Sequence, residues 1–248
     1  MPADTKKLNE NLKFLKLNCI LDTYEKAAKL AAKNHLGSIE FLAELIEAQV
    51  QERRLRSSER RLRLAKLPLV KTLEEYCFTH PKKINQPDVR YLFGLEFIKE
   101  RENVLFIGSA GLGKTHLAIA MAYQACHHGY SVLFTKAVDM VTALQAAQKV
   151  GNFIPTMKKY LNVQLLVIDE LGYLTFDRHG ANLLFQVISN RYETGAIILT
   201  TNRAFKQWPL TFDNDSTITS AILDRLLHHA HIIPIEGDSY RMKQKALL

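Results

Sequence analysis

The chain has 248 residues, of which 47% are hydrophobic and 23% are charged. These are ordinary globular values, and they exclude wholesale disorder, a collagen-like repeat and a small disulfide-stabilised scaffold. Lys and Arg outnumber Asp and Glu by 33 to 25, and the net charge of +8 favours a polyanionic partner, either nucleic acid or an anionic membrane. The three cysteines form no Cys-x-x-Cys pair, the N-terminus is polar, and no apolar run could span a bilayer. We therefore expect a soluble, cytoplasmic protein.

The first third of the sequence has the pattern of α-helices. Leucines at helical spacing begin at Leu8, a second amphipathic stretch ends at Gly37, and Ser38 caps a third helix. No strand pattern precedes Pro68. This helical domain would serve DNA or partner binding, or oligomerisation. The predicted boundaries are 1–67 for the helical N-terminal domain, 68–102 for a linker and 103–248 for the second domain.

The third predicted helix continues into a strongly basic segment. From Glu52 to Lys66, seven basic side chains stand against two acidic ones. Such a run is often only a solvated helix face, and it is also typical of a surface that binds phosphates. The candidate DNA contacts are Arg53, Arg54, Arg60 and Arg61, together with Lys136, Lys158 and Lys159 from the second domain.

From Asn103 onward, short apolar strands alternate with helices. Strands that are apolar throughout are typical of a parallel sheet covered by helices on both faces, so the sequence predicts an α/β domain with a five-stranded parallel sheet. The predicted strands are Val104–Ile107, Ser131–Thr135, Leu165–Ile168, Ala196–Thr200 and Ile232–Ile235, and the predicted helices are Lys114–His127, Val138–Lys149, Gly180–Glu193 and Thr219–His228.

A glycine-rich loop follows the first predicted strand and fits the G-x-x-x-x-G-K-[ST] pattern of a P-loop. Glycines let backbone N–H groups surround a phosphate, and the N-terminus of the next helix adds positive potential. Lys114 is expected to reach the β- and γ-phosphates of ATP, and Thr115 to offer its hydroxyl to Mg²⁺. The predicted nucleotide-binding residues are Gly108, Ser109, Ala110, Gly111, Leu112, Gly113, Lys114 and Thr115.

A second motif ends the third predicted strand. Leu165–Ile168 is wholly apolar and is followed by Asp169 and Glu170, which is the Walker B pattern. Asp169 is expected to hold Mg²⁺, directly or through water, and Glu170 to polarise the attacking water as general base. A second acid at this point favours hydrolysis of the nucleotide over passive binding.

Two further residues are candidates for catalysis. Asn202 follows the next strand and could position the water, although an Asn there is more often a turn residue. Arg225, on an apolar helix, either pairs with an acid such as Asp224 or acts as an arginine finger toward ATP on a neighbouring subunit. Arg191 and Arg203 are alternative fingers, because they also follow the Walker B strand.

The order of these motifs along the chain resembles that of AAA+ ATPases. The residues of several segments resemble those of the IstB family. Members of that family are ATP-dependent helpers of insertion-sequence transposases and are related to DnaC-type helicase loaders. The resemblance implies a sensor-1 role for Asn202, a finger role for Arg225 and a sensor-2-like role for Arg241, and it places His116 among the nucleotide-binding residues. Too few residues follow Ile235 for a full helical lid, so the expected fold is an AAA+ domain without one. The segments that carry the resemblance are Thr72–Tyr76, Glu102–Val104, Gly113–Ala118, Ile168–Tyr173, Ser189–Glu193 and Gly237–Arg241.

The resemblance also implies a function. By this resemblance, the protein is expected to be an ATPase that assembles on duplex DNA with little sequence preference. It would form homo-oligomers with ATP sites at subunit interfaces, and it would recruit or activate an integrase-type transposase. The alternatives are a DnaC-like helicase loader, a DNA-coating protein for which ATP is only an assembly ligand, and a small-molecule kinase. Glu170 and the basic N-terminal helix disfavour the kinase.

The histidines near the end of the sequence match no metal-binding motif. His228, His229 and His231 follow the last predicted helix, but no Cys or carboxylate stands beside them at a ligand spacing. We therefore expect ordinary surface or helix-end histidines there.

Overall fold

The computed structural model describes residues 3–240, and the chain divides between Arg60 and Arg61 into two compact units. No helix in this described range is long and apolar enough to cross a membrane. The helices are α1 (Ala3–Phe14), α2 (Asn18–Lys33), α3 (Ser38–Ala65), α4 (Gln86–Leu92), α5 (Glu96–Lys99), α6 (Lys114–His127), α7 (Ala137–Lys149), α8 (Phe153–Leu161), α9 (Arg178–Arg191) and α10 (Ser216–Leu227), with a 3₁₀-helix at Phe205–Thr211. The strands are β1 (Asn103–Ile107), β2 (Val132–Lys136), β3 (Leu165–Leu171), β4 (Ala196–Thr201) and β5 (Ala230–Pro234).

In the N-terminal unit, α1, α2 and the first part of α3 enclose a small apolar core. Leu12, Ile20 and Leu45 contribute one buried residue from each helix. The N-cap residue of α2 makes no side-chain cap, so the first N–H groups of this helix need an acceptor from elsewhere. Gln49 supplies it, because its side-chain oxygen accepts from the N–H groups of Cys19 at 3.1 Å and Ile20 at 3.4 Å. The prediction of a helical N-terminal region is confirmed.

The second unit is built on a five-stranded parallel sheet in the order β2-β3-β4-β1-β5. Successive residues of a strand point to opposite faces. Val104 and Phe106 of β1 accordingly pack in a core with α6, whereas Leu105 packs in a second core with α7, α9 and α10. The predicted α/β sheet is confirmed. Since its strands are parallel, their carboxyl ends share one edge of the sheet, the carboxyl edge, and their amino ends share the opposite amino edge.

Residues 68–102, whose prolines predict a linker, contain two short helices, α4 and α5. Val89 of α4 and Phe97 of α5 are buried in the same core as β1 and α6. Asn85 caps α4, since its side-chain oxygen accepts from the N–H of Asp88 at 3.4 Å. The sequence pattern missed these helices, as it missed α8, because they are too short to show a helical period.

Arg191, the last residue of α9, is the most deeply buried charged side chain among the described residues, with 1% of its surface exposed. Its guanidinium donates hydrogen bonds of 2.8 to 3.2 Å to the backbone carbonyls of Tyr160, Leu161, Val163, Gln164 and Ala196. Burial lowers the pKa of Arg191 to about 10. Arg191 therefore clamps the loop after α8 to the start of β4, and it is not available as a finger for another subunit.

We expect Arg191→Lys to lower the free energy of unfolding by at least about 2 kcal/mol. The ammonium of lysine cannot make all the hydrogen bonds of the planar guanidinium, so it leaves buried carbonyls unpaired. Arg178→Lys, at the exposed start of the same helix, is the matched control and should change stability by less than about 0.5 kcal/mol. Urea denaturation followed by circular dichroism measures both. Equal losses in the two variants would contradict the clamp.

Candidate nucleotide-binding site

The P-loop joins the carboxyl end of β1 to the start of α6. Gly111 and Gly113 both have a φ of +82°, a conformation that favours glycine. A Cβ on Gly113 would lie 2.5 Å from the ring of Tyr76, so this position also requires glycine for space. The N–H of Gly108 donates to the carbonyl of Thr201 on β4 at 3.2 Å, which ties the loop to the sheet. The glycines predicted from the sequence therefore have a steric reason.

Lys114 and Thr115 begin α6 at the carboxyl edge. The ammonium of Lys114 donates to the carbonyl of Ser109 at 2.7 Å. The hydroxyl of Thr115 donates to Oδ1 of Asp169 at 2.9 Å, so the structure brings the two predicted magnesium ligands together. Burial raises the pKa of Asp169, and hydrogen bonds from Thr200 and Thr115 oppose that rise. A hydroxyl and a carboxylate are oxygen donors of the kind that Mg²⁺ prefers, so these residues fit that ion.

Glu170 forms an ion pair at the same edge. Its φ of +60° is unusual for a residue with a side chain, and its N–H donates to the hydroxyl of Thr200 at 3.0 Å. Its carboxylate lies 2.9 Å from the ammonium of Lys136 at the end of β2, and this hydrogen-bonded pairing raises the pKa of Lys136. The pairing register between β3 and β4 shifts between Ile168 and Leu171, so the strand is irregular at Glu170. Lys136, predicted to contact DNA, thus contacts the predicted general base.

Asn202 and Arg203 follow β4, which lies between β1 and β3 in the sheet. Asn202 is exposed at the carboxyl edge, between the end of β1 that enters the P-loop and the acidic end of β3. This is the position that a residue orienting the attacking water would need. Arg203 instead donates from Nε to the carbonyl of Gly172 at 2.6 Å, so it fastens the connections after β3 and β4 to each other.

Arg225 lies at the amino edge. Its Nε donates to Oγ of Ser189 and its Nη1 to the carbonyl of Ala221, both at 3.1 Å, and its guanidinium carbon is 4.9 Å from the ring centroid of Phe185. It lines a small cavity with Asn103, the first residue of β1. The P-loop begins after the five residues of β1, about 13 Å further along the strand. The structure therefore does not bring Arg225 to the P-loop of its own subunit.

A cavity of about 480 Å³ opens beside the P-loop, within the size range of small-molecule pockets. Its walls are Gly111–His116 on one side and the chain before α4 on the other. Tyr76 joins the two walls, since its hydroxyl donates to the carbonyl of Leu112 at 3.0 Å, and burial raises the pKa of Tyr76 to about 12. His116, a predicted nucleotide contact, lines this cavity and places Nε2 2.8 Å from the carbonyl oxygen of Thr72. Sequence reasoning gave Tyr76 no role; only the resemblance of its segment pointed to this region.

The segment after β5 also contacts the P-loop. The N–H of Tyr240 donates to the carbonyl of Gly111 at 3.0 Å. Ser239 approaches so closely that a Cβ on Gly111 would lie 2.1 Å from its hydroxyl oxygen. Sequence reasoning assigned neither residue to the site. Arg241, the predicted sensor-2-like residue, lies outside the described residues.

The predicted DNA contacts on α3 differ in their surroundings. Arg53, Arg54 and Arg60 are exposed. Arg61, the first residue of the second unit, is partly buried, and its Nε donates to the carbonyl of Cys126 at 2.7 Å. The Nε–H of Arg61 is therefore used for a contact within the second unit and is not available to a ligand.

The predicted DNA contacts on α8 lie near the end of that helix. Lys158 and Lys159 are both exposed. The ammonium of Lys159 lies 5.4 Å from the ring centroid of Tyr160, and partial burial together with the charge of Lys66 lowers the pKa of Lys159. The like charge of Lys66 disfavours the protonated form of Lys159.

The P-loop and the acidic end of β3 stand on either side of β4, and this arrangement at the carboxyl edge defines a P-loop ATP-binding protein of the AAA+ type. The chain belongs to the family of IstB-like ATP-binding proteins, which matches residues 10–247. It is 38% identical to the insertion sequence IS5376 ATP-binding protein of Geobacillus stearothermophilus, with 97% of this chain and 96% of that protein covered. It is 39% identical to the insertion sequence IS21 ATP-binding protein of Pseudomonas aeruginosa, with 93% and 87% covered.

Solved structures share the fold over about two thirds to three quarters of this chain. The DnaC helicase loader aligns with a TM-score of 0.55 and 24% identity, over 66% of this chain and 96% of that one. AMPPCP-bound DnaA from Aquifex aeolicus aligns with a TM-score of 0.56 and 24% identity, over 73% and 56%. At these identities the likeness shows the fold alone. The predicted IstB-family membership and AAA+ fold are confirmed.

We expect Lys114→Ala to weaken ATP binding at least about tenfold, because it removes a charge-assisted bond to the phosphates. Lys158→Ala, at an exposed site on α8, removes the same charge and should leave the affinity unchanged. Calorimetric titration with ATP in the presence of Mg²⁺ measures both, after circular dichroism has shown that each variant is folded. Parent affinity in folded Lys114→Ala would overturn the site.

Proposed function

We propose that this protein is a transposition helper that hydrolyses ATP, assembles on duplex DNA as a homo-oligomer and recruits or activates an integrase-type transposase. The observation that carries the proposal is the acidic pair Asp169 and Glu170 beside the P-loop, in a chain whose relatives are insertion-sequence ATP-binding proteins. Binding of ATP needs the loop and one magnesium ligand. The second carboxylate supports hydrolysis, because it can accept a proton from water.

In the proposed reaction, Thr115 and Asp169 would hold Mg²⁺, which would supply positive charge to the phosphate oxygens. Glu170 takes the proton of the attacking water, and Asn202, exposed at the same edge, orients that water. Because the Glu170 carboxylate is paired with Lys136, it must leave this ion pair, or share it, when it accepts the proton.

Glu170→Gln keeps the shape of the side chain and removes its basicity. We expect ATP to bind with parent affinity and turnover to fall by about 10²–10⁴-fold. Phosphate release in the steady state measures turnover, and Glu100→Gln, at an exposed position after α5, is the control. Parent turnover in Glu170→Gln would leave ATP as an assembly ligand only, as in a DNA-coating protein.

An oligomer with shared ATP sites is supported by the position of Arg225. This side chain is at the amino edge, whereas the P-loop is at the carboxyl edge of the same subunit. An arginine finger stabilises the charge that develops during phosphoryl transfer, so it must approach the γ-phosphate. Arg225 can do this only for a nucleotide held by a neighbouring subunit.

Arg225→Ala is expected to bind ATP normally and to hydrolyse it about 10³–10⁵-fold more slowly. In a mixture with Lys114→Ala, one variant still offers Arg225 and the other an intact P-loop. Mixed assemblies should therefore regain turnover that neither variant has alone. The matched mixture uses Arg203→Ala, whose side chain is fastened to Gly172, in place of Arg225→Ala. If turnover recovers in the mixture that contains Arg203→Ala and does not recover in the mixture that contains Arg225→Ala, the finger is Arg203.

DNA binding is proposed for a stripe of arginines on α3. Arg53, Arg56 and Arg60 recur at helical spacing, share one side of the helix and are exposed. Glu52 pairs with Arg56 and leaves the charges of the other two in excess. Contacts of this kind are made to phosphates, so binding is tolerant of sequence and sensitive to salt.

The double substitution Arg53→Gln and Arg60→Gln should weaken binding to duplex DNA and reduce the slope of log affinity against log salt by about 1.8, since each phosphate contact contributes about 0.9. The control is Lys26→Gln with Lys29→Gln, an exposed pair on α2 with the same loss of charge. Fluorescence anisotropy over a series of salt concentrations measures both. An equal effect of the two double substitutions would contradict a specific stripe.

A helicase loader is the alternative that the fold supports. The DnaC structure shares the fold at 24% identity, whereas relatives at 34% to 39% identity belong to insertion sequences. A loader would favour single-stranded DNA and a replicative helicase. Anisotropy with single-stranded and duplex DNA of equal length separates the two functions, and we expect tighter binding to the duplex.

A further inference from the structure

Two neighbouring histidines and a glutamate meet at the amino edge of the sheet. His228 and His229 follow α10, and Glu193 lies in the turn between α9 and β4. One potential ligand atom from each of the three exposed side chains lies within 4.8 Å of the other two. We propose that Glu193, His228 and His229 form a binding site for a divalent transition-metal ion, with Zn²⁺ as the ion that suits it best.

The hydroxyl of Tyr192 orients this cluster. It lies 2.8 Å from Nδ1 of His228. When this hydroxyl donates its own proton elsewhere, it accepts from the Nδ1–H of His228, and that tautomer leaves the lone pair on Nε2 for an ion. Metal-binding histidines usually have such a partner on the second ring nitrogen.

The donor set selects the kind of ion. Imidazole nitrogen with one carboxylate suits Zn²⁺ and its neighbours in the transition series, whereas Mg²⁺ and Ca²⁺ prefer oxygen donors throughout. Three protein ligands leave one tetrahedral position for water. Arg101 and Arg225 line the cavity next to His229, and their positive charges oppose a cation. We therefore expect micromolar affinity rather than the tight binding of a structural zinc.

The site is independent of the nucleotide site, which lies at the other edge of the sheet. His228 and His229 stand three and four residues after Arg225, about one helical turn away. An ion held between them and Glu193 ties the end of α10 to the turn that precedes β4. It thereby restrains the helix that carries Arg225, whatever that arginine contacts.

Calorimetric titration of the untagged full-length chain with ZnCl₂, without nucleotide, tests the site. We expect one ion per chain with micromolar affinity. Glu193→Gln should weaken binding at least about tenfold and Tyr192→Phe by a similar or smaller factor. Substitution of His228→Ala with His229→Ala should abolish it. The matched control, His127→Ala with His128→Ala, removes another adjacent histidine pair at the end of α6 and should leave binding unchanged.

Visible absorption of bound Co²⁺ provides a second readout, because a tetrahedral nitrogen and oxygen site gives intense bands that the His228 and His229 variants should lose. Glu193→Gln keeps the size and shape of an exposed side chain, so we expect this variant to fold. It therefore tests the site even if the double histidine variant does not fold. Zn²⁺ affinity equal to the parent in Glu193→Gln, or absence of micromolar binding in the parent, would overturn the proposal.

Discussion

The nucleotide site depends on one buried carboxylate. Asp169 is 2% exposed, and its Oδ1 accepts from the hydroxyls of Thr115 at 2.9 Å and Thr200 at 2.5 Å. The Thr200 hydroxyl in turn accepts from the N–H of Glu170. These contacts join the start of α6, the end of β3 and the end of β4, which come from three distant parts of the chain. The position of the predicted magnesium ligands relative to the P-loop is therefore fixed by the sheet and does not depend on a mobile loop.

The same network explains the backbone at the general-base position. A residue other than glycine with a φ near +60° costs about 1–3 kcal/mol, and such strain persists only where the surroundings impose it. At Glu170 the Thr200 hydroxyl holds the backbone N–H while Lys136 holds the carboxylate. The DNA contact predicted for Lys136 from the sequence competes with this ion pair, because one ammonium cannot fully satisfy a phosphate and Glu170 at once.

The features that the sequence predicted correctly are local. Strands β1 to β4 were predictable because each contains a short run of apolar residues buried on both faces, as Leu165–Ile168 shows. The P-loop was predictable because its glycines and Lys114 are contiguous and because their conformations leave little choice of residue. Patterns of this kind are complete within a few residues, so no knowledge of tertiary contacts is needed to find them.

The features that escaped the sequence depend on pairs that are far apart in the chain. Tyr76 reaches Leu112, and Glu193 reaches His228 and His229, only because the fold brings their elements together. The histidines matched no motif for this reason: their acidic partner belongs to another turn. No local pattern records such a partner.

The polarity of the parallel sheet also limits how subunits can associate. Each subunit has a nucleotide-binding carboxyl edge and an amino edge that carries Arg225, and β1 separates them. A two-fold symmetric dimer pairs identical surfaces, so a finger contact through Arg225, as proposed, requires the amino edge of one subunit to meet the carboxyl edge of the next. Such a head-to-tail contact repeats, and it gives either a closed ring or an open helical filament. A filament can follow duplex DNA through its regular phosphates without reading bases, which is consistent with the exposed arginines on α3.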